Sequence, residues 1–200
     1  MKQKVALVIG ATGQDGSYMS KLLIEKGYKV FGTTRDTLSA NISNLKMLKI
    51  DNKVELLKTC ISDFRSLVFT LQKVNPDEIY HLGGQNGVGL SFQFPFESVE
   101  SLYFSTLSLL ESVRFYNKDI KVFIPSSTDC FGTTTIDNPA NETSQHNPMS
   151  PYAVAKSSSY YISKTYRDSY GMFVCVGFLS NHISPLSGKQ IVTSNSRLTR

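Results

Sequence analysis

Tyr152 and Lys156 stand four residues apart in Tyr152-Ala-Val-Ala-Lys156, a spacing that puts both on one helix face. A phenol titrates near 10 and is a poor base at neutral pH. A neighbouring ammonium favours the phenolate, and a lowering of about 3 units corresponds to roughly 4 kcal/mol. Such a pair could take the proton from a substrate hydroxyl. The spacing recurs at Tyr160 and Lys164, but position separates the two pairs. Ser150-Pro151 opens a predicted helix, so Tyr152 sits in its first turn and Tyr160 about 12 Å further along. Ser127 follows an apolar run and offers a hydroxyl to the same substrate oxygen, and Asp129 adds a carboxylate two residues on. Taken alone, Tyr152 and Lys156 also fit a helix-start aromatic beside a surface lysine. Asp129 alone also fits a solvated or capping residue.

A second group of residues reads as a phosphate cradle. Residues 5–9 are an unbroken apolar run, typical of a strand buried on both faces. The run ends at Gly10-Ala-Thr12-Gly13-Gln14-Asp15-Gly16, and Leu22, Leu23 and Ile24 then mark a helix that Gly27 closes. Glycines spaced at three let the backbone approach a pyrophosphate while the free N–H groups of the helix point at it. The second strand, 29–34, runs into Arg35-Asp36. A carboxylate at that point would hold a ribose 2′-hydroxyl and an arginine a 2′-phosphate. Arg35 comes first, which favours NADP over NAD. A fourth strand, 78–82, ends at Leu82 and opens into Gly83-Gly84-Gln85-Asn86-Gly87-Val88-Gly89, again backbone suited to lie close to a ligand.

These residues are positioned by six alternations of strand and helix. The other strands fall at 54–57, 121–125 and 173–179. The helices after the first fall at 41–50, 63–74, 95–116 and 151–170, and residues 133–149 form a long polar loop. The pattern predicts an α/β fold, a doubly wound (Rossmann-like) parallel sheet of about six strands ordered 3-2-1-4-5-6 and covered on both faces. Ligands would bind at the carboxyl ends of the strands, where every cluster named above falls. Residues 1–180 read as one nucleotide-binding domain and 181–200 as the start of a substrate-binding region. The net charge of +5 comes from scattered lysines with no basic stripe, which argues against nucleic acid. No apolar run approaches the roughly 20 residues of a membrane span. Residues 1–11 pass straight into the glycine turn and do not read as a signal peptide. Cys60, Cys130 and Cys175 are odd in number and far apart, which fits reduced thiols and a cytoplasmic setting. His81, His146 and His182 lack metal-ligand spacing, so no metal is expected.

A serine after the fifth strand, followed by Tyr-x-x-x-Lys at the next helix start, resembles the short-chain dehydrogenase/reductase superfamily, in its extended branch. Four runs sharpen the likeness: Gly10-Ala-Thr-Gly-Gln-Asp-Gly-Ser-Tyr18, Asp77-Glu-Ile-Tyr80, Ser150-Pro-Tyr-Ala-Val-Ala-Lys156 and Asn181-His-Ile-Ser-Pro185. Together they resemble the GDP-mannose 4,6-dehydratase family. The resemblance implies a lyase that takes GDP-mannose to its 4-keto-6-deoxy form with transient hydride transfer to NADP. Tyr152 matches the base, Lys156 its electrostatic partner and Ser127 the hydroxyl donor. Asp129 falls where the family usually has a glutamate that takes the C5 proton. Cofactor contacts are implied for Gly10, Thr12, Gly13, Gln14, Asp15, Gly16, Arg35, Leu82, Gly83, Lys156 and His182. Substrate contacts are implied for Gln85, Asn86 and Asn181. Departures are the shorter Asp129, Ile183 for a glutamate, Ser187 for a basic residue and Cys60 for an aspartate near the adenine. The family continues into a smaller sugar-gripping domain that lies beyond this sequence. Association into a homo-oligomer stays open. Two alternatives also stay open: another nucleotide-sugar epimerase or reductase, and an inactive dinucleotide-binding remnant.

Overall fold

The computed structural model describes residues 2–187. Six parallel strands, β1 (Val5–Ile9), β2 (Lys29–Thr34), β3 (Val54–Lys58), β4 (Glu78–His81), β5 (Lys121–Ser127) and β6 (Val174–Leu179), form one sheet ordered β3-β2-β1-β4-β5-β6. This is the expected Rossmann-like order. The apolar run of β1 is central and pairs with β2 on one side and β4 on the other. A parallel strand in that position is buried on both faces, which is why Ala6, Leu7, Val8 and Ile9 are all apolar and fully enclosed.

Between the strands run α1 (Gln14–Glu25), α2 (Ser43–Met47), α3 (Phe64–Val74), α4 (Val88–Gln93), α5 (Pro95–Val99), α6 (Ser105–Tyr116) and α7 (Pro151–Tyr170). The local signals act as their chemistry dictates. The Asp63 carboxylate accepts from the Ser66 amide and caps α3, and the Ser150 hydroxyl accepts from the Ala153 amide and caps α7. Gly171 ends α7 in the left-handed conformation. One core packs α3, α6 and α7 on the sheet through Leu67, Leu71, Leu109, Leu110, Val113 and Tyr166. The other face is covered over β1–β3 by α1 and α2, through Leu23, Leu45 and Ile50.

Three expectations need correction. The second face of β4–β6 is only partly covered among the described residues. Tyr80, Phe123, Phe173 and Cys175 line an open groove there, because the crossovers after β4 and β5 place α6 and α7 on the opposite face with α3, and α1 and α2 cover only β1–β3. The predicted helix 95–116 is interrupted by a π-helical turn, Glu100–Phe104. Residues 88–93 form a separate short helix rather than continuing the glycine loop. Of the region 181–200, residues 188–200 lie outside the described residues.

Candidate active and cofactor-binding site

The glycine turn is built by close approach. Gly10 has φ +82°, and a Cβ there would fall 2.7 Å from the Gly83 backbone, so the turns after β1 and β4 lie back to back. A Cβ on Gly16 would fall 2.0 Å from the Gly10 carbonyl oxygen, which lets α1 start directly on the turn. Gly13 is the extended N-cap of α1 and provides no side-chain cap. The first N–H groups of α1 are therefore left for an anion, an arrangement that fits the pyrophosphate of a dinucleotide. The Thr12 carbonyl is held by the Asn44 amide at 3.1 Å. Asn44 was not singled out from the sequence, where only the apolar spacing around it is visible.

Gln14, Asp15 and His182, all expected to touch the cofactor, bond to one another here. Gln14 Nε2 donates to Asp15 Oδ1 at 3.0 Å, His182 Nε2 lies 2.8 Å from the same oxygen, and Ser187 Oγ bonds Gln14 Oε1. His182 Nδ1 lies 2.8 Å from the Ser180 carbonyl. Both ring nitrogens thus face acceptors, and the Ser180 carbonyl, with Asp15 beside it, raises the pKa of the imidazole. This clasp ties the segment after β6 to the start of α1. Residue spacing across 167 positions carries no signal of it.

At the end of β2, Asp36 is committed to its own turn, accepting from Leu38 N, Ser39 N and Ser39 Oγ at 3.2, 3.3 and 2.6 Å. The Ser39 hydroxyl is the main cause that lowers its pKa. Arg35 is exposed and makes no side-chain bond or ion pair among the described residues. After β4, the Leu82 amide donates to the Ile9 carbonyl at 2.8 Å. Gln85 is fixed to α5 and the π-helical turn: its amide donates to Ser101 Oγ at 3.2 Å, and its side-chain oxygen accepts from Ser98. Asn86 and Asn181 are exposed. His81, which the sequence reading left without a role, is buried beneath this loop with Nε2 3.0 Å from Ser105 Oγ.

The second candidate cluster comes from the end of β5 and the first turns of α7. Ser127 Oγ donates to Asp129 Oδ2 at 3.1 Å and accepts from the Asp129 amide at 3.2 Å, so the pair caps the 3-10 turn Thr128–Phe131. Asp129 is exposed and lines a cleft with Val88, Phe92, Thr133, Met149 and Ser150. Tyr152 packs against Leu102 and Ala155. Lys156 Nζ lies 5.8 Å from the Tyr152 ring centroid and donates to the Pro125 carbonyl at 2.8 Å. Burial lowers Lys156 to about 8, with the Cys130 thiol and the Asp15 carboxylate acting the other way. Tyr160 is elsewhere, stacked among His146, Tyr161 and Phe178.

One electrostatic expectation fails. The pKa of Tyr152 is raised, not lowered. Burial is the largest cause and the Asp129 carboxylate adds to it, while the nearby Ser127 hydroxyl opposes them.

A parallel 3-2-1-4-5-6 sheet with a glycine turn after β1, a serine after β5 and Tyr-x-x-x-Lys opening α7 defines a nucleotide-binding fold of the short-chain dehydrogenase/reductase type. Solved structures agree on the fold. UDP-glucose 4-epimerase from Thermotoga maritima superposes with a TM-score of 0.82 at 26% identity, over 93% of this chain and 58% of its own. The dTDP-glucose 4,6-dehydratase of Streptomyces venezuelae, solved with NAD, superposes with a TM-score of 0.85 at 23% identity, over 96% of this chain and 60% of its own. Residues 7–199 match the family model for GDP-mannose 4,6 dehydratase, and the chain belongs to that family. The GDP-mannose 4,6-dehydratase of Vibrio cholerae is 40% identical over 96% of this chain and 53% of its own length. GDP-mannose 4,6 dehydratase 1 of Arabidopsis thaliana is 39% identical, over 96% of this chain and 55% of its own length. The chain therefore spans about half the length of the curated relatives it matches.

Proposed function

We propose that residues 1–180 are the NADP-binding domain of a GDP-mannose 4,6-dehydratase and that residues 181–200 begin its substrate-binding region. The observation that carries this reading is the convergence of Ser127, Asp129, Tyr152 and Lys156 at the strand ends that also bear the uncapped glycine turn. A nicotinamide dinucleotide bound there supplies a hydride acceptor and donor. The Gly10–Gly16 turn and the α1 N–H groups would hold its pyrophosphate, with Leu82 and Gly83 beside it. Arg35 would meet a 2′-phosphate. The self-capped state of Asp36 supports NADP over NAD, since its carboxylate is already satisfied.

The side chains then divide the proton chemistry. Tyr152 takes the proton from the C4 hydroxyl, assisted by the Ser127 hydroxyl on the same oxygen. Lys156, at about 8, remains mostly charged at neutral pH and offsets the negative charge on the phenol. Asp129 removes the C5 proton and, now protonated, returns it to the departing C6 hydroxyl, which leaves as water. The Ser127–Asp129 bond supports this assignment by holding beside Ser127 a carboxylate whose residue lines the cleft. Gln85, Asn86 and Asn181 would line the sugar. GDP-mannose is the proposed substrate, and the enzyme would act in the cytoplasm. No helix among the described residues is long and apolar enough to cross a membrane.

The test joins this chain to the carboxyl-terminal half of the Vibrio cholerae relative and follows GDP-mannose by chromatography. Formation of the 4-keto-6-deoxy product, lost by at least about 100-fold in Asp129→Asn, is expected from the usual size of an acid–base contribution. Epimerised sugar without dehydration, or turnover unaffected by Asp129→Asn, would overturn the assignment.

A further inference from the structure

The loop 133–149 is long for a compact domain, and one residue anchors it. His146 is inserted among four rings drawn from three elements. Its centroid lies 5.2 Å from Phe131 of the 3-10 turn and 5.6 Å from Phe178 of β6. It lies 4.8 and 5.1 Å from Tyr160 and Tyr161 of α7. Its Nδ1 is buried and has no hydrogen-bond partner. The adjacent residue completes the connection to the site. The Asn147 amide donates to the Cys130 carbonyl at 2.8 Å, inside the turn that carries Asp129. Gly132, at φ +68°, lets the chain pass: a Cβ there would fall 2.5 Å from the Asn147 carbonyl. On the far side, the strap enters α7 at Ser150, two residues before Tyr152.

We infer that His146 is a positioning residue, a neutral aromatic plug that locks the 133–149 strap onto the turn bearing Asp129 and the helix start bearing Tyr152. That these two residues are the reacting groups rests on the reading above; the plug itself does not. The groups facing the ring are aromatic from every side: Phe131, Phe178, Tyr160 and Tyr161. None is a carboxylate. Of the lysines of α7 that flank these tyrosines, Lys164 is paired with Asp168 at 2.7 Å and Lys156 donates to the Pro125 carbonyl at 2.8 Å. A proton on Nδ1 would therefore enter a buried place with no acceptor, and burial holds the pKa of the ring below its ordinary value. The sign follows. With the seated pKa below that of the released ring, seating is at full strength above about 6.5. It is lost progressively as pH falls below that, because only the released ring gains a proton readily.

Backbone hydrogen exchange of the purified chain tests this without any turnover, so its outcome is independent of the dehydratase reading. The reporter is the Asn147 amide, corrected for intrinsic exchange, with the α3 amides as a control for global unfolding. Its protection should fall between about pH 7.5 and pH 5 by up to about 30-fold, the ratio set by an ordinary histidine pKa. His146→Phe, which fills the box without a titratable nitrogen, should stay protected at both pH values. His146→Ala should be unprotected at both while α3 remains protected. Equal wild-type protection at both pH values, or a pH-dependent loss in His146→Phe matching wild type, would overturn the proposal.

Discussion

At Lys156 two requirements conflict. The proposed chemistry needs an ammonium beside Tyr152, but the side chain is buried and its pKa is lowered to about 8. A lysine whose folded pKa lies below its unfolded value of 10.5 costs stability. The cost is fully present below about 8 and is relieved as pH rises from about 8 toward 10.5. Lys156→Met should therefore stabilise the chain at neutral pH, by on the order of 1–3 kcal/mol, while removing the charge the site needs. Urea denaturation of both proteins near neutral pH and again above the lysine range checks this, and the difference should shrink at the higher pH. Tyr152 and Tyr160 give a second residue-scale contrast. In the joined enzyme, Tyr152→Phe should cut kcat by at least about 100-fold, as expected for a lost acid–base group, and Tyr160→Phe should leave most of it. That ranking is legible in the sequence, because Ser150-Pro151 fixes where the helix starts. The raised pKa of Tyr152 is not legible there, since it depends on burial and on the Asp129 carboxylate brought near it.

Among the elements, the strand order and the limits of α7 follow from apolar runs and from Pro, Ser and Gly at the right places. The π-helical turn Glu100–Phe104 does not, because one inserted residue per turn leaves no mark in the apolar spacing. Its contact with the site is concrete: Ser101, within it, accepts from the Gln85 amide. The open groove on β4–β6 follows from the handedness of the crossovers, which sends α6 and α7 to the other face. Glycines show how differently one residue type acts in two elements. Gly16→Ala would drive a Cβ into the Gly10 carbonyl at 2.0 Å, against backbone that has no room to yield. It should destabilise by at least about 2 kcal/mol, as overpacking typically does. Gly89 in α4 meets nothing within 4 Å, so Gly89→Ala should gain about 0.5–1 kcal/mol from helix propensity. Thermal melts of the two variants should move in opposite directions.

At the scale of the whole molecule, the chain carries the glycine turn and the proposed reactive side chains but spans about half the length of the curated relatives it matches. Precise placement of a substrate accounts for roughly 7–11 kcal/mol of a barrier. On its own the chain should therefore bind cofactor yet convert little GDP-mannose, and turnover within about tenfold of a full-length relative would show that this placement is complete without further chain. Cofactor binding is the property on which the proposed function most directly depends. Calorimetric titration of the purified chain with NADP and with NAD, at one salt concentration, measures it directly. NADP should bind at least about tenfold tighter than NAD, and Arg35→Ala should remove that preference, as expected for one charge-assisted contact to a phosphate. Binding of neither nucleotide, or equal affinities unchanged by Arg35→Ala, would contradict it.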